Sequence, residues 1–502
     1  MRLVARLLFS FVVTVMGMGA VAAQDVQESV AGAVNASDAK PHILIILIDD
    51  MGYRDVGYHG SEIRTPNIDR LASEGVELTQ FYAHPSCSPT RTALMTAKSP
   101  TRLGVMMPLA KISTKSLPLS EKLLPAHLKD AGYQTALVGK WHLGHATRAM
   151  QPTSRGFDHF YGNLTGGVGH WDHVHGGGYD WQRNGETLRT DGYTTHLLTD
   201  EAVRVIKERD ASSPLFLYLS YNAPHLPNEA PDETVQSYQT VENEFRRIHA
   251  AMVDEVDQGI GRVVATLEEE GMLENTLIWF MSDNGGLIPK KYESGPFSWV
   301  DTMKYWLGTP IPIRMFEFAR VNIEEGGSDN TPFRDGKSSV YEGGVRVPSF
   351  IHWPAGLPQK QVRGRITAQD IFPTLVDAAE LPIDLGDTID GASRWDVIAH
   401  DAETAPPDFH VSGFFDQQAY YRGDWKLLAL EGRVELYDLA SDPTEQNDVA
   451  ADHPELVAEL TTQIDTLPRG EVVNPPISAV FWDPDFFGGE EDREPWADVV
   501  KE

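Results

Sequence analysis

Four apolar runs set the rhythm of this chain, and each one stops at a cluster of polar residues. His42–Ile48 leads into Asp49-Asp50-Met-Gly, and Gln134–Gly139 into Lys140-Trp-His142-Leu-Gly. Pro214–Tyr221 is followed by Ala223-Pro-His225, and Asn275–Met281 by Ser282-Asp283-Asn284-Gly-Gly. A run without polar alternation suits a strand covered on both faces, as in a parallel sheet between helices. Helical spacing falls between the runs, over Thr65–Glu74, Leu119–Ala131 and Glu242–Glu270, and Val76–Tyr82 reads as a further strand. The pattern predicts an α/β fold with a large mixed, mostly parallel sheet sandwiched by helices. Its polar clusters fall at strand ends, where such sheets hold ligands.

From about His400 the pattern changes. His410-Val-Ser, Ala419–Arg422, Trp425–Leu428 and Glu435–Asp438 are short strand-like pieces separated by turns, and Leu456–Leu467 has helical spacing. They predict a smaller C-terminal antiparallel sheet plus helix. The expected organisation is an α/β domain over 41–399, a subdomain over 400–471 and an acidic, Pro-rich tail over 472–502 packed on the surface. After Tyr341-Glu-Gly-Gly-Val-Arg-Val-Pro a further apolar strand is expected up to Trp353. Two stretches have neither period: Asn163–Asn184, rich in Gly, His and Trp, and Leu287–Asp335. The first is expected to be a mobile rim loop, with zinc binding by His170, His173 and His175 as the alternative. No internal repeat is evident.

Met1 to about Ala23 places Arg2 and Arg6 ahead of an apolar run from Leu7 to Val21, with small residues at Ala20-Val-Ala22-Ala23. That is the pattern of a cleaved export signal, with 24–40 as a polar linker. The run is short, carries Gly17 and Gly19 and has no basic stop signal, so no membrane span is expected. The protein is expected to be exported, periplasmic or secreted. With one cysteine, Cys87, it has no intramolecular disulfide and stands on its core. Its formal charge of −31, or −33 once Arg2 and Arg6 leave with the signal, argues against nucleic acid as a partner. An anionic substrate therefore needs a local basic pocket.

Cys87-Ser-Pro-Thr-Arg91 is expected to open a helix, with Ser88 as N-cap, Pro89 in the first turn and Thr90–Thr96 helical. That places Cys87 beside a positive helix end and Arg91, surroundings that suit a reactive thiol; a buried structural thiol is the other reading. Asp49, Asp50, Asp283 and Asn284 offer only oxygen ligands, which suits calcium or magnesium better than zinc. Arg91, Lys140, His142, His225 and Lys337 form a basic set. A divalent cation with these groups would hold a tetrahedral oxyanion.

Cys87-Ser-Pro-Thr-Arg91 with Thr92-Ala-Leu-Met-Thr96 resembles the C-x-P-x-R signature of the type I sulfatases, within the alkaline phosphatase superfamily. Asp49-Asp50-Met-Gly-Tyr, Gly139-Lys-Trp-His-Leu-Gly144, Ser282-Asp-Asn-Gly-Gly286 and Tyr341-Glu-Gly-Gly-Val-Arg346 follow in that family's order. Leu123–Gly132 and Arg155-Gly-Phe-Asp158 look most like arylsulfatase-B-like enzymes. The resemblance implies hydrolysis of sulfate esters on a carbohydrate, one calcium ion per chain (magnesium being the alternative), and conversion of Cys87 to formylglycine by a maturing enzyme that reads 87–91. It implies that Asp49, Asp50, residue 87, Asp283 and Asn284 hold the metal. Arg91 and Lys140 would orient the nucleophile, His142 would accept its proton, and His225 and Lys337 would contact sulfate and protonate the leaving oxygen. His170, Trp171, His173, His175, Trp181 and Trp299, together with Trp306, are the expected contacts to the sugar. A phosphodiesterase or phosphonate monoester hydrolase of the same superfamily is the alternative enzyme, and a calcium-dependent glycan-binding protein the non-enzymatic one.

Overall fold

The computed structural model describes residues 40–111, 113–174, 178–289, 325–414 and 416–474. The expected signal and linker, His175, Trp299, Trp306 and the tail from 475 lie outside the described residues.

The main sheet contains β1 (His42–Ile48), β2 (Val76–Leu78), β4 (Gln134–Gly139), β5 (His159–Gly162), β6 (Gln182–Arg183) and β7 (Glu186–Thr187). It is completed by β8 (Leu215–Tyr221), β9 (Thr276–Ser282), β10 (Ser349–His352) and β11 (Lys360–Val362). The ten strands lie in the order β11-β2-β10-β9-β1-β8-β4-β5-β6-β7. The central strands β9, β1, β8, β4 and β5 are parallel; β10 joins antiparallel to β9, and β6 and β7 close the far edge antiparallel.

The apolar runs explain this centre. In β1, Ile43, Ile45 and Leu47 enter one core while Leu44, Ile46 and Ile48 enter the other. Burying each such side chain contributes about 1.5–3 kcal/mol, which only a strand covered on both faces collects. The Cys87–Thr96, Leu124–Asp130 and Ile371–Ala378 helices supply Ala93, Leu94, Leu128 and Leu375 to the first core. The Thr194–Glu208 and Glu244–Glu269 helices supply Leu198, Ala202, Val256 and Ile260 to the second.

Two expectations are corrected. Val76–Tyr82 is two strands, because Thr79 and Gln80 turn the chain; β3 (Phe81–Tyr82) leaves the main sheet and pairs with β12 (Ile366–Thr367). The helix expected from Leu119 begins at Leu124, where Pro125 stands in its first turn; proline has no N–H to give and fits only there. The strand expected up to Trp353 is β10, and the Tyr341 segment before it forms a short helical turn, Glu342–Val345.

The C-terminal strands β13 (Phe409–Ser412), β14 (Gln418–Arg422), β15 (Trp425–Leu430) and β16 (Arg433–Asp438) form an antiparallel meander. One face packs on Leu460 and Ile464 of the Pro454–Thr466 helix. The other presents Val411, Tyr421 and Leu428 to Tyr82, Val340 and Val345. Across that contact the fully buried Lys426 Nζ lies 3.0 Å from Glu342 and 2.6 Å from Glu445. Among the described residues, no helix is long and apolar enough to cross a membrane.

Candidate active site

Because β1, β4, β8 and β9 are neighbours running in one direction, the residues that follow them emerge side by side. Asp49 and Asp50 continue β1, Lys140 and His142 follow β4, His225 follows β8, and Asp283 and Asn284 follow β9. Asp50 and His142 adopt left-handed backbone conformations, with φ of 71° and 59°. The Cys87–Thr96 helix points its start at this group, and the turn at Gly336-Lys337 closes over it.

Ser86, not Ser88, is the N-cap of that helix, so Cys87 is its first residue. Ser88 instead donates its hydroxyl to the His142 carbonyl at 2.8 Å and accepts from the Leu109 amide at 3.0 Å, tying the helix start to the loop after β4.

The basic and acidic sets interlock. Lys140 Nζ lies 2.5 Å from Asp49 Oδ2, and Lys337 Nζ 2.6 Å from Asp50 Oδ2. Arg91 donates to Asp283 Oδ2 at 2.9 and 3.1 Å, and to the Lys140 carbonyl and Ser220 Oγ at 2.7 Å each. His225 Nε2 stands 3.7 Å from Asp50 Oδ2, and Cys87 Sγ 3.5 Å from Asp49 Oδ1. Asp49, Asp50, Cys87 and His225 offer ligand atoms all within 4.8 Å of one another.

Burial sets the electrostatics. Arg91, Lys140, Asp49 and Asp283 side chains are fully enclosed, whereas Lys337 is 12% and His225 20% exposed. The cluster therefore opens on the His225 and Lys337 side. Burial pushes the Cys87 thiol far above its ordinary range and the facing Asp49 carboxylate adds to it, which overturns the reading of a reactive thiolate. Burial would raise Asp50, but the Lys337 and His225 charges outweigh it and hold that carboxyl well below the usual range. Burial and the neighbouring Asp49 push Asp283 up to about 6 against the pull of Arg91. Burial, with the Lys337 charge adding to it, lowers His225 below the ordinary imidazole range, while Asp50 pulls the other way.

The donor set fits a hard cation. Asn284 spends its Nδ2 on Asp50 Oδ1 and the Gly285 carbonyl, while its buried Oδ1 has no hydrogen-bond partner among the described residues. With three neighbouring carboxylates, that carbonyl oxygen makes a set of hard oxygen donors.

The described residues of the 163–184 stretch are pinned, not a mobile rim. Fully buried Asp180 accepts from the Leu164 and Thr165 amides and the Thr165 hydroxyl. His170 bonds Thr194 Oγ1 and the His225 carbonyl, and His173 bonds the Gly192 carbonyl, so neither is arranged with the other as a zinc ligand. Trp181 is fully buried against Tyr161 and His173, which removes it from sugar stacking; Trp171, 48% exposed beside Tyr193, retains an open face.

Two features escape sequence reading. Ser220, the partner of Arg91, carries no motif. Asp55 accepts from the Gly52 and Asp329 amides and from His249 and Arg246, and so braces the loop carrying Asp50. The i, i+3 spacing of Arg246 and His249 on one helix is its only trace in the sequence.

Known proteins resemble this chain in sequence and fold. The sulfatase family model matches residues 41–381. Arylsulfatase J of Mus musculus is 34% identical over 377 residues, covering 73% of this chain and 57% of that protein. Human N-acetylgalactosamine-6-sulfatase is 31% identical over 416 residues, 78% of this chain and 70% of that one. A crystal structure of Ps i-CgsB in complex with k-i-k-neocarrahexaose superposes with a TM-score of 0.76 at 29% identity, covering 89% of this chain and 98% of the other. The site and these matches together place the chain in the type I, formylglycine-dependent sulfatase family.

Proposed function

We propose that the protein hydrolyses sulfate esters of carbohydrates, with residue 87 working as formylglycine beside a calcium ion held by Asp49, Asp50, residue 87, Asp283 and Asn284. The observation that carries this reading is the pairing of an all-oxygen donor set with Arg91, Lys140 and Lys337 in a pocket open on one side. Bound there, a calcium ion would supply positive charge that offsets negative charge developing on oxygen in the site.

As a hydrated aldehyde, residue 87 supplies one hydroxyl that bonds to sulfur and a second whose lost proton lets a carbonyl re-form as sulfate departs. A thiolate would leave a stable thiosulfate ester and stop there. Arg91 and Lys140, both fully buried, hold the charge on the oxygens of residue 87. His142 accepts the proton of the second hydroxyl. His225 and Lys337, at the mouth, stand where the sugar must remain outside and protonate its departing oxygen, a contribution of about 100-fold or more for a poor leaving group.

The carbohydrate is supported by the oligosaccharide seen in the Ps i-CgsB complex and by the name of the human relative. Export, and a maturing enzyme acting on 87–91, complete the reading. Comparing turnover of matched aryl sulfates and phosphate diesters, then of sulfated sugars, tests it. Release of sulfate is expected, and a clear preference for the diester overturns it.

A further inference from the structure

Residues 163–167 pass directly over both histidines of the site. Asn163 and Leu164 accept the backbone amides of Trp141 and His142 at 3.0 and 3.1 Å, and Asp180 anchors the next two amides. Two glycines follow this anchor. A Cβ on Gly166 would lie 2.7 Å from Cε1 and 2.8 Å from Nε2 of His142. One on Gly167 would lie 3.1 Å from both Cε1 and Nδ1 of His225. An imidazole is rigid, so neither contact is relieved by a flexible chain end.

Nor can the rings retreat freely. His142 Nε2–H donates to the Leu109 carbonyl at 3.0 Å, and its own carbonyl is held by Ser88. His225 Nδ1–H donates to the Leu226 carbonyl at 2.7 Å, and its carbonyl accepts from His170 at 2.9 Å. These bonds select the nitrogen left to the site: Nδ1 of His142 and Nε2 of His225.

We propose that Gly166 and Gly167 are positioning residues, each serving one histidine: Gly166 seats His142 and Gly167 seats His225. Their separate effects on turnover rest on the roles proposed above. In the first half-reaction an oxygen of residue 87 that has lost its proton to solvent bonds to sulfur, the bond from sulfur to the sugar oxygen breaks, and that oxygen takes a proton from Lys337 or from Nε2 of the doubly protonated His225 ring. In the second, His142 takes the proton of the remaining hydroxyl, its electron pair forms the carbonyl, and the C–O bond breaks as sulfate leaves. Adjacent glycines thus govern successive halves of one cycle.

Gly166→Ala and Gly167→Ala are compared in the full converted chain, using nitrophenyl sulfate, a sugar sulfate and ring-nitrogen NMR of labelled histidines. In Gly167→Ala, turnover of the sugar sulfate is expected to fall about 100-fold and that of nitrophenyl sulfate less than about tenfold, since only the poor leaving group needs the proton. Gly166→Ala is expected to retain a first burst of nitrophenol while its steady rate falls about 100-fold. Each substitution should move the ring resonances of its own histidine and not those of the other. Equal losses on both substrates without a burst, or ring resonances unmoved in both variants, overturn the proposal. If the unaltered protein turns over no sulfate ester, the reaction reading fails while the resonances still decide the positioning. Should Gly166→Ala not fold, Gly167→Ala, with its milder contact, decides by the same two readouts.

Discussion

Asn284 donates its amide to Asp50 Oδ1 at 2.7 Å, which fixes a buried carbonyl oxygen that no protein donor satisfies among the described residues. An unpaired buried acceptor costs about 1–3 kcal/mol, and a cation removes that cost. Calcium at about 100 times its dissociation constant is therefore expected to stabilise the protein by about 2.7 kcal/mol, read as a rise in unfolding temperature that a chelator reverses. Asn284→Ala should lose most of that rise. Asp283→Ala should lose it too and reduce sulfate release by about 1000-fold or more. An undiminished calcium response in both variants would show that the ion lies elsewhere.

Cys87 is 2% exposed, and burial with Asp49 opposite keeps its thiol protonated. Unconverted chain is expected to resist alkylation while folded and to react promptly once unfolded, as followed by peptide mass spectrometry. Active material should carry the aldehyde at this position, and Cys87→Ala should lower turnover by about 10⁴-fold or more. Full activity in wholly thiol material is the result that would sink the mechanism.

Lys426 is the one cation between Glu342 and Glu445 among the ion pairs described there, apart from Arg346 at 3.7 Å from Glu342. Lys426→Met strands two buried carboxylates and is expected to cost about 3–5 kcal/mol by urea unfolding. The same cluster sets a pH dependence. Burial, against the pull of Lys426, pushes Glu445 from 4.5 up to about 7. Between those values the folded protein keeps a proton the unfolded chain has lost, so this contribution to stability is present below about 4.5 and fades as pH rises to about 7. Glu445→Gln should flatten that part of the profile, and an unchanged slope would rule the group out.

Trp171 offers an open aromatic face beside the loop that touches His225. Trp171→Ala is expected to raise KM for a sulfated oligosaccharide about 3- to 10-fold and to leave nitrophenyl sulfate kinetics nearly unchanged. Equal effects on both substrates would assign the residue to packing.

The sheet's centre was legible because an unbroken apolar run has few other places to go. β1 and β4 coincide with their runs, and the clusters beyond them meet because parallel neighbours end on one side. What pattern did not reveal is pairing across distance. Nothing local says that Phe81 and Tyr82 leave for another sheet, or that Asp55 braces the Asp50 loop through residues about 190 positions away. The charge on Cys87 was misjudged for the same reason: burial, which pushes its thiol up most, and the facing Asp49 carboxylate both come from the fold and not from the neighbouring sequence.

All ten residues from Cys87 to Thr96 are buried in the finished fold. A maturing enzyme of the kind proposed above would find residues 87–91 covered on the completed molecule. Its opportunity would then be set by the order of synthesis: β1 acquires its β9 neighbour only after Thr276–Ser282 has been made, and until then the wall behind Asp49 is missing. On that proposal folding and activation would compete for the same segment, and a chain that closes early would be stable, well packed and unconverted.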